Sequence, residues 1–553
     1  IQSRGSCQMS FTRVKALKPP KSVFDLSYEK KFDFDFGQLI PVCCEEMVPG
    51  DLFKVGNEIV IRFQPMFAPI LQEINCYVHY FFVPTRLIFD GWEEFITGGE
   101  DGPDFNNDSG PVLPRFNPSF SSDQDVTDAV GPYSLYDYFG FPILSNPDIS
   151  SYGSYSYPGR STSSDSSSYY FRPLAFPWRC VNLIWNEYYR DENMQSERDL
   201  DDYTVPLRNW SKDYFTSSLF AQQRGVAPAL PLSGIIPVTF SGPAEIPVNA
   251  LYGNTDGGIT PDPNDLGYND SGDVLPISAR GRLGSINLNN GSATADVSDL
   301  RAIFQVQKWM ERNMRAGVRY TEFLHSHFSV SPRDDRLQRP EYLGGSKSPI
   351  IVSEVIQNSN NSSSGTSTGS GTGSLYGKGI TADRNFVCKY HAKEYGYLVG
   401  LLSVMPKPTY QQGVDRQWLR KSRWDFYFPE FAHLSEQEVK TEELFAFAGD
   451  TSSGGIGNDW KFGYQARFNE MRANKSKVCG SLRDSLDYWH LGRKFDTVPQ
   501  LNSDFITCDP SRDDLKRIFQ VQNVPGMICN FANIITAVRP IPKFGEPGLV
   551  DHF

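Results

Sequence analysis

The sequence predicts a mainly β protein with short strands, long loops and a few helices, and three observations carry that prediction. The 553 residues include 46 Gly and 38 Pro spread through short segments, so the chain is interrupted too often for a helical bundle. Aromatic residues make up 14%, with 39 Phe and 27 Tyr, which supplies a large core of the ring-rich kind that sheets bury. Runs of β-branched and aromatic residues recur between Pro and Gly boundaries.

The individual elements follow in chain order. Phe32-Asp33-Phe34-Asp35-Phe36 alternates strictly, placing three rings on one face and two carboxylates on the other, the signature of a half-buried strand. Glu58 to Phe63 and Ile74 to Val83 read as central strands, the second ended by Pro84. Thr85 to Thr97 has apolar residues near helical spacing and stops at Gly98-Gly99, so one short helix is expected. Helical periods return over 172–190 and 297–319. In the later segment Ile303, Val306, Met310 and Met314 form an apolar stripe and Lys308, Arg312, Arg315 and Arg319 a basic face. Pro349 to Ile356 and Asn385 to Val404 are each read as strand. The Asn/Ser/Thr/Gly tract from Ser359 to Ser374 between them cannot bury enough apolar surface to offset its ordering entropy, which predicts a mobile loop decorating a hairpin.

Charge is segregated. The net charge is -12, yet residues 95–170 alone carry -8 and 241–300 carry -6, both in Gly/Pro/Ser/Asn/Asp-rich sequence typical of surface insertions. Residues 1–24 hold Arg4, Arg13, Lys15, Lys18 and Lys21 with no acid, a basic arm. Residues 460–494 carry +5 and interleave Lys461, Arg467, Arg472, Lys475, Lys477, Arg483, Arg493 and Lys494 with Trp460, Phe462, Tyr464, Phe468, Tyr488 and Trp489. Cations for phosphate and flat rings for bases are what sequence-tolerant single-strand binding uses, although core aromatics with a solvated rim give the same pattern. The nucleic-acid candidates are therefore Arg4, Arg13, Lys15, Lys18, Lys461, Arg467, Arg472, Lys475, Lys477, Trp460 and Tyr464. A shorter cluster has Lys407, Arg416, Arg420, Lys421 and Arg423 with Trp418 and Trp424.

Catalytic and metal chemistry finds little support. Nine Cys occur without a CxxC pair, and the adjacent Cys43 and Cys44 would point to opposite faces of a strand, so reduced thiols are expected. His325 and His327 are the close histidine pair but lack a third ligand nearby. Asp262, Asn264 and Asp265 hint at a calcium loop that Leu266 interrupts and no Glu closes. The glycines from Gly365 to Gly379 lack the Gly-Lys-Ser/Thr element of a phosphate loop. No catalytic residue, cofactor or metal is assigned. No run reaches the 18 apolar residues of a membrane span, and Ile1 to Met9 has no charged region followed by an apolar one, so no secretory signal is read there.

Several long strings are distinctive: FDLSYEKKFDFDFGQLIPV (Phe24 to Val42), EEMVPGDLFKV (Glu45 to Val55), INCYVHYFFVPTRLIFDGWEEFITGG (Ile74 to Gly99), RYTEFLHSHFSVSPRDDRLQRPEYLGG (Arg319 to Gly345), GYLVGLLSVMPKPTYQQG (Gly396 to Gly413), RWDFYFPEFAHL (Arg423 to Leu434) and SLRDSLDYWHLGRKF (Ser481 to Phe495). They resemble the major capsid proteins of the gokushoviruses, small single-stranded DNA bacteriophages of the Microviridae, over most of the chain outside the acidic stretches. The resemblance implies an eight-stranded antiparallel jelly roll, sixty copies of which close a T=1 icosahedral shell around circular single-stranded DNA. It implies a virion protein and not an enzyme, assembled in the host bacterial cytoplasm. On that basis residues 25–553 form a single jelly-roll domain behind the 1–24 arm, with insertions at about 95–170, 201–300 and 357–380. Residues 241–300 are the candidate for the threefold protrusion that this family directs at the host. The implied partners are other copies of the chain, the DNA genome, DNA pilot and scaffolding proteins and a host surface receptor. Outside the two acidic stretches the chain is only about +2, so a small basic packaging protein is also expected. The competing expectation is a carbohydrate-binding or carbohydrate-active β sandwich, which would be soluble as a monomer or small oligomer.

Overall fold

A computed structural model describes residues 20–97, 111–116, 131–142, 173–225, 239–240, 286–287, 297–316, 325–329, 338–356, 375–434, 436–447 and 459–544. Contacts divide the chain into two compact units, Ile1–Ala221 with Ser331–Phe553, and Gln222–Val330.

The first unit is an antiparallel β sandwich. Its strands are β1 (Ser22–Asp25), β2 (Tyr28–Phe34), β3 (Ile40–Met47), β4 (Leu52–Phe63), β5 (Ile74–Pro84), β8 (Glu341–Pro349), β9 (Ile351–Ile356), β10 (Leu375–His391), β11 (Gly396–Pro406) and β14 (Met527–Arg539). One sheet runs β1-β14-β4-β10-β9, with β2 also pairing with β14; the other runs β3-β11-β5-β8. β8 and β9 are separated by Ile350 alone, so one run of chain leaves the second sheet and enters the first. Four antiparallel pairings nest inside one another along the chain: β2 with β14, β3 with β11, β4 with β10, and β5 with β8. A long hairpin folded over on itself gives this order, and each partner lies hundreds of residues away at the outer pairs.

Alternation in the sequence explains the core. Along β14 the burial pattern is strictly periodic, with Met527, Cys529, Phe531, Asn533, Ile535 and Ala537 turned inward. Phe53, Val55, Ile59, Ile61 and Phe63 of β4 meet Ile74, Val78, Tyr80 and Phe82 of β5 and Leu398, Leu402 and Val404 of β11 in one cluster between the sheets. Phe34 and Phe36 join it, as the alternation predicts. β11 is buried on both faces, which is why its sequence is continuously apolar. Its outward Val399 and Leu401, with Phe81 and Val83 of β5, pack under the helix Phe176–Ile184 through Trp178, Val181 and Ile184. The helix continues as a π turn, Trp185–Tyr189. Cys43 lies in the cluster between the sheets and Cys44 against the outer one, and all eight cysteines among the described residues are free thiols.

Some expectations are corrected. Thr85 to Thr97 is two helical segments, Thr85–Ile88 and Trp92–Thr97, parted where Phe89 takes extended backbone, at φ -149° and ψ 100°. Asn385 to Val404 is not one strand: a turn at 392–395 sends β10 and β11 into different sheets. β9 and β10 pair from Ile356↔Leu375, so 357–374 does close a hairpin.

A third cluster, Tyr214, Phe215, Tyr410, Val439, Leu444, Phe462, Phe495, Phe505 and Ile506, organises the long connection between β11 and β14. That connection carries the small sheet of β12 (Glu436–Lys440) and β13 (Lys461–Ala466). In the second unit the described elements are β6 (Thr239–Phe240), paired with β7 (Ile286–Asn287), and the helix Val297–Ala316. Met314 of that helix is buried, whereas Val306 is 43% exposed and so leaves the expected stripe. Of the acidic stretches, 95–170 is described only at 95–97, 111–116 and 131–142, and 241–300 only at 286–287 and 297–300; residues 357–374, with Asp262, Asn264 and Asp265, lie outside the described residues.

Candidate nucleic-acid interface

The two sheets of the sandwich differ on their outward faces. Helices cover one; the other is open and basic. Because inward and outward residues alternate, β4 turns Lys54, Gly56, Glu58, Val60 and Arg62 outward. On the neighbouring β10 a bulge between Phe386 and Cys388 resets the parity. Lys54 therefore stands opposite Lys389, Glu58 opposite Arg384, and Arg62 opposite Ile380, while Lys378 pairs with Ser353 of β9. Lys54, Arg62, Lys378, Arg384 and Lys389 are all exposed, and none forms an ion pair within 4 Å among the described residues. Glu58 is the one acid that β4 and β10 place on this face.

Like charges directly opposite on neighbouring strands destabilise a sheet. Lys54 and Lys389 are such a pair. A face carrying that repulsion, with Glu58 the one acid of β4 and β10 set against five cations, is suited to an external polyanion, whose phosphates would relieve it. Phe386, 72% exposed, lies between Arg384 and Lys389 and offers a ring for base stacking. At the far edge of the sheet the charge is mixed, with Lys31 paired to Glu29 at 3.0 Å.

The residues singled out from sequence fall into three groups. Arg4, Arg13, Lys15 and Lys18 lie outside the described residues; Lys21 donates to the Gly50 carbonyl at 2.6 Å. Lys475 and Tyr464 serve the interior. The Lys475 amine lies 5.0 Å from the Phe215 ring, donates to the Glu443 carbonyl at 2.6 Å, and is held below the ordinary lysine range by burial. Tyr464 is buried and accepts a hydrogen bond from Lys461 at 3.0 Å. Trp460, Arg472 and Lys477 are exposed, the last paired with Asp415, and Arg467 donates to the Trp424 carbonyl at 2.9 Å while lying over Phe468. Beside Lys477 an open cavity of about 610 Å³ is lined by Gln411, Asp415, Trp418, Arg483 and Lys494. The cluster 460–494 is thus partly core and partly rim, whereas the open sheet face is wholly solvent-directed.

Among the described residues no three His, Cys, Asp or Glu side chains converge as a metal site. His327 is instead 2.6 Å from the Asn313 side-chain oxygen. No helix among the described residues is long and apolar enough to cross a membrane.

A model of the capsid protein (F protein) family matches residues 12–549. Capsid protein VP1 of Chlamydia phage 1 is 32% identical over 618 residues, covering 98% of this chain and 97% of that protein. Capsid protein VP1 of Bdellovibrio phage phiMH2K is 31% identical, covering 99% and 98%, and that of Spiroplasma virus 4 is 27% identical, covering 98% and 97%.

Proposed function

We propose, from the premise that this chain belongs to the phage capsid protein (F protein) family and is a structural subunit of a self-assembling virion shell, that its open basic sheet face lines the lumen and holds single-stranded DNA. The observation that carries this reading is the set of five exposed cations on β4 and β10 that form no ion pair among the described residues, including the opposed Lys54 and Lys389. On the other sheet, Phe81 and Val83 of β5 and Val399 and Leu401 of β11 are buried under helix and loop side chains.

Around that face the rest of the reading is assembled. The nested pairings support an eight-stranded jelly roll, with β1/β2 and β8/β9 each counted as one run. Sixty copies in a T=1 arrangement around a circular genome, the basic arm 1–24, and a single shell domain interrupted at about 95–170, 201–300 and 357–380 complete it. Residues 241–300 serve as the surface protrusion toward a host receptor. Five cations per subunit neutralise few phosphates, so a separate small basic packaging protein shares that task, and pilot and scaffolding proteins act in assembly inside the host cytoplasm. Exposed Arg472 and Lys477 are secondary DNA contacts.

The test is to purify particles from cells expressing the chain within its viral genome, then measure particle mass and DNA content. Megadalton particles whose DNA content falls on Lys54→Glu/Lys389→Glu substitution, with shell mass unchanged, support the reading. Unaltered DNA content refutes the sheet-face assignment. Mass spectrometry showing only this chain and DNA refutes the packaging protein.

A further inference from the structure

The connection between β11 and β14 leaves a run of large apolar side chains in solvent. Trp424, Phe426, Tyr427, Phe428 and Leu434, with Trp460 just before β13, are each about half exposed, between 45 and 54%. They form one surface. Trp424 and Phe428 both pack on Phe431 at 5.5 Å, and Tyr427 packs on buried Phe468 at 5.2 Å. Arg467 beside Phe468 donates to the Trp424 carbonyl. Lys421 bonds Asp459, the neighbour of Trp460. Half-exposed rings at roughly 200 Å² each make a patch of about 600 Å², at the upper limit for a monomer and near the ~800 Å² one partner gives a standard interface.

We propose that this patch is a contact between copies of the chain in the shell, an inference that rests on the shell reading above. Trp, Tyr, Phe and Arg together are the composition of interface hot spots. Three features favour a protein over DNA as the occupant. The guanidiniums of Arg423 and Arg420 already lie over the rings of Trp424 and Phe426, at 4.6 and 5.0 Å, so those faces are closed to bases. Lys421 and Lys440 are both paired to Asp459, at 3.1 and 2.8 Å, which cancels charge a phosphate would need. The backbone is pre-set, with Ser422 and Asp425 capping one turn reciprocally and Pro429 starting the next, so little ordering entropy opposes docking. The open sheet face has the reverse character, cationic and without ion pairs at its five cations among the described residues.

Hydroxyl-radical footprinting of the wild-type chain tests this in dissociated subunits, DNA-free particles and filled particles. Trp424 and Trp460 are expected to lose about tenfold in reactivity on assembly without DNA, as a desolvated interface core does. Equal reactivity in subunits and DNA-free particles, or protection that appears only in filled particles, overturns the inference. The second arm is Phe426→Ser/Phe428→Ser. Soluble, folded subunits that fail to form particles are expected, and particles at wild-type yield, even with reduced DNA, would sink it. A wild-type chain that forms no particle at all refutes the shell reading instead, so the two failures are distinguishable.

Discussion

Removing the five sheet-face cations together, Lys54→Ala, Arg62→Ala, Lys378→Ala, Arg384→Ala and Lys389→Ala, should change how salt affects DNA binding more than it changes the fold. Each cation that meets a phosphate of a single strand contributes about 0.7 to the slope of log affinity against log salt. Five such contacts make the wild-type slope steeper by about 3.5. Across a fourfold rise in salt the wild type then loses roughly a hundredfold more affinity than the variant. Fluorescence anisotropy with labelled oligo-dT on dissociated subunits measures both slopes, because assembly would hide a lumenal face. Stability should hold or rise slightly, since the variant removes the opposed Lys54 and Lys389 and no ion pair among the described residues. A slope change below about one contact's worth, or an equal change on removing Lys461, Arg467, Arg472 and Lys477 instead, would refute the assignment of DNA to this face.

Three further outcomes are expected. Burial, with Arg208 nearby, pushes His79 down to about 4, and its Nδ1 lies 2.7 Å from the Tyr189 hydroxyl. A depressed histidine favours the fold fully above about 6.5 and loses that contribution as pH falls toward 4, so acid should cost up to ~3 kcal/mol that His79→Phe does not lose; parallel acid limbs in denaturation of the two proteins would contradict it. Trp178→Ala leaves a void where the indole stacks on Phe116 at 5.0 Å and Phe141 at 5.3 Å, costing about 3–5 kcal/mol by urea denaturation, with a loss below ~1 kcal/mol showing that the helical cover is dispensable. Gly37→Ala meets both a positive φ of 78° and the Cys508 carbonyl at 2.0 Å from the new Cβ, so it should cost about 2–5 kcal/mol, whereas Gly140→Ala, at φ 83° in open space, should cost roughly 1.

Much of the sandwich was legible because its signals are local. The Phe32 to Phe36 alternation, EIVIRF and INCYVHYFFV fell on β2, β4 and β5, and the later part of Asn385 to Val404 on β11. Where sequence reasoning failed, the deciding atoms were distant. Gly91, just before the second helical segment, sits against Pro111, twenty residues away, where a Cβ would not fit, and β10 and β11 part because their partners lie in different sheets. The same holds for function. Trp460 and Tyr464 looked alike in a basic and aromatic string, but Tyr464 is buried and Trp460 is half exposed. Lys54 and Lys389 are 335 positions apart and carry no joint signal until β4 pairs with β10 across a bulge. The within-strand spacing of Lys54, Glu58 and Arg62 was the available clue, showing three charges on one face.

Cryo-electron microscopy of purified, DNA-filled particles tests the spatial sorting of charge most directly. A closed shell is expected in which Lys54, Arg62 and Lys389 point at the DNA and residues 241–300 project outward. A shell with those cations on its exterior, or with the acidic stretch turned toward the genome, would contradict it.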